Sequence, residues 1–184
     1  MKNRHIQNLV LSGVLLAIGM VLPLLTAQVK EIGDTLLPMH LPVLLCGLVC
    51  GWQWGLPVGL FLPFLRSLFF GMPPIYPNAV WMACELAAYG AAAGLLYQLI
   101  RVRGRVYIAL IGAQLSGRVV WGLVKWLLLG IKGTAFPVSA FLVGGFVDAF
   151  PGILLQILLI PPLVVFLGAV KSGQFTEWRK EALK

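Results

Sequence analysis

Two residues of opposite charge, Arg66 and Glu85, stand inside strongly apolar sequence on either side of a proline-rich turn, in the stretch PFLRSLFFGMPPIYPNAVWMACELAAYG from Pro63 to Gly90. If residues 72–77 join two membrane-spanning helices, a rise of ~1.5 Å per residue puts both charges roughly 8 to 12 Å below the same membrane surface, close enough to meet. Charge at that depth is costly and is usually paired or functional. Further along, Gln114, Arg118, Trp121 and Lys125 recur at helical spacing and give one polar stripe to an otherwise apolar segment. Asp148 falls in the last apolar region, with Gln156 two turns further on the same side. The embedded charges are then Arg66, Arg118 and Lys125 against Glu85 and Asp148, three cations to two anions. An unmatched cation in a low-dielectric bundle is relieved by a bound anionic group, so the chemistry expected here is recognition of a small molecule. The plainer alternative is an ion pair that locks two helices together.

The expected cavity opens outward, with Arg118 and Asp148 near the midplane and Arg66, Glu85 and Lys125 in the outer half. Tyr76, Trp81, Tyr89 and Trp121 offer apolar walls suited to an organic molecule. Asn78 heads the helix that carries Trp81 and Glu85, and His40 stands at the interface as a hydrogen-bonding residue. Catalysis is not expected. The chain has no G-x-S-x-G, no H-E-x-x-H and no glycine-rich phosphate loop, and its histidines are His5 and His40 alone. No cofactor or metal is expected either. Cys46, Cys50 and Cys84 lie in apolar segments without a Cys/His cluster of ligand spacing, which suits packing.

Positioning such residues requires membrane helices. Of the 184 residues, 60% are hydrophobic and 11% charged, and the mean hydropathy is +0.94. That composition reads as an all-α integral membrane protein forming a single bundle. The net charge of +8 does not point to nucleic acid, because the basic residues are dispersed at the ends of apolar runs. Six transmembrane spans are expected at about 7–27, 39–52, 54–71, 78–100, 106–129 and 140–170, followed by a cytoplasmic tail over 171–184. The last region is too long for one straight span, and its Gly144-Gly145, Pro151 and Pro161-Pro162 predict a short re-entrant or extended start and a kinked helix. The first apolar run lacks a clean cleavage site and is kept as a span rather than a signal peptide.

Loop charge sets the orientation. Lys2, Arg4, Arg101, Arg103, Arg105, Lys171, Arg179, Lys180 and Lys184 fall on one side of a six-span bundle, nine in all, and Lys30 and Lys132 on the other. That asymmetry predicts both termini inside. On the first span, Gly13 and Ala17 form a small-xxx-small step that admits a close neighbour, inside the bundle or on a partner, with Gly19 adding to the slim side. The polar stretch QVKEIGDTLL, 28–37, is long for a connector and suggests a lid.

The segments LSGVLLAIGMVLPLL, LPMHLPVLLCGLVCGWQWGLPVGLFLPFLRSLFFGMPP and ELAAYGAAAGLLY resemble the substrate-binding S component of energy-coupling factor (ECF) vitamin importers. The resemblance covers about 9–97 well and the remainder by helix count. It implies a six-helix subunit of a prokaryotic plasma membrane that captures a vitamin from outside. It also implies docking through the face at Gly13 and Ala17 on a transmembrane coupling subunit driven by two cytosolic ATPases. Among vitamins, the charge count favours an anion such as pantothenate. The competing reading is a stand-alone proton-coupled secondary transporter, which predicts an inverted repeat that the sequence does not display.

Overall fold

A computed structural model describes residues 2–24 and 36–172. The expected lid over 28–37 and the tail over 171–184 lie almost wholly outside the described residues. Among the described residues, seven α-helices are placed in order: α1 Lys2–Val21, α2 His40–Cys50, α3 Trp52–Phe70, α4 Val80–Leu99, α5 Arg105–Ile131, α6 Val138–Leu142 and α7 Phe150–Ser172. A 3₁₀ turn, Leu22–Leu24, ends α1, and wider π turns over Ile75–Ala79 and Val143–Val147 lead into α4 and toward α7.

Among the described residues, four helical stretches are long and apolar enough to cross a membrane: Arg4–Leu24, Ile75–Leu99, Arg105–Ile131 and Val138–Lys171. With 11 residues, α2 is a shorter apolar helix, and α3 with 19 also falls outside that set. The expected break between the second and third spans is a single residue, Gly51, whose φ of 99° lies in the left-handed region open to glycine. The start near 140, expected as extended or re-entrant, is not extended: it is helical, formed by α6 and its π turn, and Pro161 and Pro162 are accommodated within α7.

The core is built around α2. It is apolar on every side, as a fully enclosed helix must be, and Val43, Leu44 and Cys46 are completely buried. It touches α1, α3, α4, α5 and α7. Where α2, α3 and α4 cross, glycines replace side chains. A Cβ on Gly55 would lie 2.6 Å from the Gly90 carbonyl oxygen and 2.7 Å from the Gly47 Cα, and one on Gly59 would strike the Leu86 carbonyl. The backbones therefore touch directly, the close packing that small residues permit between membrane helices.

Side chains tie the two ends of the described chain to one end of α2. Its last carbonyls have no partner within the helix. The Asn8 amide donates to the Cys50 carbonyl at 3.2 Å and the Lys171 ammonium to the Val49 carbonyl at 2.7 Å. The start of α1 and the end of α7 thus meet there, and His40 begins α2 at the opposite end.

Candidate functional site

Glu85 lies in the second turn of α4 and faces α2 and α5. Its Oε1 accepts a hydrogen bond from Arg118 Nη1 at 3.0 Å and lies 3.3 Å from His40 Nε2. One turn further along α4, Tyr89 sets its ring edge-on to His40, with centroids 5.0 Å apart and an interplanar angle of 77°. The ring fits because residue 117 on α5 is glycine; a Cβ there would lie 2.6 Å from Tyr89 Cδ2. One turn before Arg118, the Gln114 amide donates to Gln156 Oε1 at 2.6 Å and joins α7 to the network. Every member is enclosed, from Tyr89 at 0% exposed to Gln114 at 5%.

The network has hydrogen-bonding capacity to spare. Arg118 Nε and Nη2, His40 Nδ1, the Tyr89 hydroxyl, Gln114 Oε1 and Gln156 Nε2 are buried without a hydrogen-bond partner among the described residues. Such atoms cost about 1–3 kcal/mol each if left unmet, so they suit the polar groups of a small molecule or water.

Arg66 is placed elsewhere. It is buried, but Nη1 donates to the Met20 carbonyl at 2.8 Å in the last turn of α1, and the guanidinium lies 5.6 Å from the Phe70 ring. The expected meeting of Arg66 with Glu85 therefore does not occur. Burial was legible from the sequence, but the direction in which each helix turns was not. Asp148 also departs from expectation: it is exposed rather than enclosed. Counting helical spacing back from Gln156 fails because α7 begins at Phe150 and the joint at 148–149 breaks the α-helical phase before Asp148 is reached.

Lys125 forms a second group nearer the helix end. Its ammonium lies 4.5 Å from the Trp121 ring centroid, 5.1 Å from Phe136 and 5.2 Å from Trp81. Phe141 stacks on Trp121 at 6.1 Å. Beyond it, Lys132 sits 4.7 Å over the exposed ring of Tyr76. Asn78 is half-buried on the π turn before α4, outside both groups. Gln156 stood out in the sequence only beside Asp148, not as a site residue, and Phe136 and Phe141 did not stand out at all. A lone amide in the apolar run of α7 was a usable signal for Gln156, whereas nothing distinguished these two phenylalanines from packing residues.

On α1, Gly13 and Ala17 are exposed, and a Cβ on Gly13 would meet nothing within 4 Å. Gly19 turns the other way, against Leu62 and Pro42, and belongs to internal packing. Beside Gly13, an apolar groove of about 210 Å³ runs between α1 and α3, bordered by Leu16, Trp54, Pro57 and Phe61.

A multi-pass helical bundle with an enclosed polar network fits a membrane subunit that handles a solute. The chain matches the family model described as ECF transporter, substrate-specific component, over residues 7–164, and it belongs to that family. Members are transport subunits rather than enzymes; they bind a small substrate and work with an ECF transmembrane and ATPase module. No curated protein and no solved structure matches the chain.

Proposed function

We propose that this subunit captures a water-soluble vitamin from outside the cell and delivers it to a transmembrane coupling subunit powered by two cytosolic ATPases. In this reading the chain crosses a prokaryotic plasma membrane six times with both termini inside, and 28–37 closes over the site when ligand is present. The observation that carries it is the enclosed His40–Glu85–Arg118–Tyr89 network, with donors left over, in a chain of this family. Pantothenate, an acid with hydroxyl and amide groups, is the first vitamin to try. The test is mass spectrometry of small molecules released from protein purified without added ligand. A water-soluble vitamin in near-equal amount to protein is expected; a preparation that releases nothing and binds none of the vitamins offered contradicts the proposal.

Docking is proposed for the exposed face around Gly13 and Ala17. Replacing both with leucine fills that face without touching the core. Cellular uptake is expected to fall about tenfold or more, with ligand binding to the purified protein unchanged. Parallel loss of uptake and binding would assign both residues to internal packing.

A further inference from the structure

The joint between α4 and α5 is short, 100–104, and with the first residue of α5 it reads RVRGR from Arg101 to Arg105. All three arginines are exposed, and their backbones lie within ~14 Å of one another even in a fully extended chain. A Cβ on Gly51 would lie 3.0 Å from Gln98 Nε2, so the joint shares one end of the bundle with the last turn of α2. Asn8 and Lys171 reach the carbonyls of that same turn. Arg4, exposed one turn before Asn8, belongs to this end as well.

No carboxylate among the described residues meets the three arginines. Glu85 is turned to Arg118 and His40, and Asp148 precedes the start of α7, remote from Lys171. The tail over 173–184 brings no net negative charge, because Arg179, Lys180 and Lys184 outnumber Glu177 and Glu181. Arg105 does have a neighbour, the Tyr97 ring, whose centroid is 4.2 Å from the guanidinium carbon. That attraction holds the side chain while leaving its positive charge in place.

The joint is not simply hydrophilic. Leu99 is 73% exposed and Val102 55%, and the amphipathic Tyr107 follows on the first turn of α5. An acidic protein surface suits the arginines but gives these apolar side chains nothing. The boundary of a bilayer suits both, taking the apolar groups toward the acyl chains and the guanidiniums to the phosphates. Length places the joint at that depth. The 27 residues of α5 span ~40 Å, which exceeds a hydrocarbon core of ~30 Å even at a tilt of ~20°.

We infer that Arg101, Arg103 and Arg105 form a site for the phosphate headgroup of an anionic phospholipid, with Leu99 and Val102 seated in the acyl layer beside it. Planar guanidiniums bind phosphate oxygens in pairs of hydrogen bonds, which favours arginine at such a site.

The test uses the purified full chain extracted from vesicles of phosphatidylglycerol and phosphatidylcholine in equal amount, with the retained lipids counted by native mass spectrometry. The parent is expected to retain phosphatidylglycerol over phosphatidylcholine by about tenfold or more, since each arginine near an anionic surface contributes about fivefold. Changing all three arginines to glutamine should reduce that preference below about twofold. Lys132→Gln, at the opposite end of α5, should leave it intact. If the triple variant does not accumulate, Arg101→Gln with Arg103→Gln carries the comparison, with the preference at least halved. Equal retention of the two lipids by the parent, or full preference in the variants, overturns the inference. Displacement of phosphatidylglycerol by millimolar inorganic phosphate also overturns it, by assigning the arginines to a soluble anion. So does an acidic protein that the parent retains from native membranes in place of the lipid and the triple variant loses. None of these readouts involves the solute, so the capture reading is tested separately.

Discussion

Replacing Glu85 with glutamine is expected to destabilise the bundle by about 3–5 kcal/mol, the usual consequence of removing one member of a buried ion pair. Glu85 Oε1 serves Arg118 and His40 at once, and both members of the Glu85–Arg118 pair are less than 5% exposed. The loss would leave an arginine enclosed without its counter-charge at the point where α2, α4 and α5 meet. Thermal unfolding of the detergent-solubilised protein checks this. The double change Glu85→Gln with Arg118→Met should be less damaging than Glu85→Gln alone, because it removes the stranded charge as well. A single variant that melts with the parent would show that the pair contributes no stability.

The second large effect is expected at the glycine crossing. A Cβ on Gly90 would strike the Gly55 carbonyl, and one on Gly55 would lie 2.6 Å from the Gly90 carbonyl oxygen. The obstacle in each case is backbone, which cannot swing aside as a long side chain does. Gly90→Val is therefore expected to cost at least the ~1–3 kcal/mol of ordinary overpacking and to reduce the yield of monodisperse protein sharply. Gly13→Ala, where a Cβ meets nothing within 4 Å, should stay within ~0.5 kcal/mol of the parent. Equal behaviour of the two variants in size-exclusion chromatography and thermal unfolding would contradict the crossing described here.

The sequence disclosed the helices more completely than it disclosed their partners. Apolar runs broken by glycine and proline located the helices α3, α4 and α5 to within about two residues of the observed bounds, since hydropathy and backbone preference act locally, whereas α1 runs Lys2–Val21 against the expected 7–27. The burial of Arg66, Glu85 and Arg118 was legible for the same reason. Azimuth was not. Which way Arg66 faces depends on how α3 rolls against α1 and α4, a result of the glycine contacts at Gly55 and Gly59 that no single helix encodes. Arg118 therefore took the partner that the turn at 72–77 appeared in sequence to offer Arg66. Asp148 was misplaced because α-helical periodicity was carried back past the start of α7 at Phe150 into the joint at 148–149. Gly117 shows the converse: a glycine in a long apolar helix reads as a weak point until the ring of Tyr89 is seen to occupy the space it leaves.

The central claim is that this chain captures a solute for a separate ATP-driven module. The most direct measurement is affinity purification of the tagged full chain from its native membranes, with identification of every protein retained. The account predicts a membrane coupling subunit and two ATPase subunits in near-stoichiometric amounts, all lost when Gly13 and Ala17 are both leucine. Recovery of the chain alone or only with further copies of itself, from membranes in which it supports uptake, would contradict it.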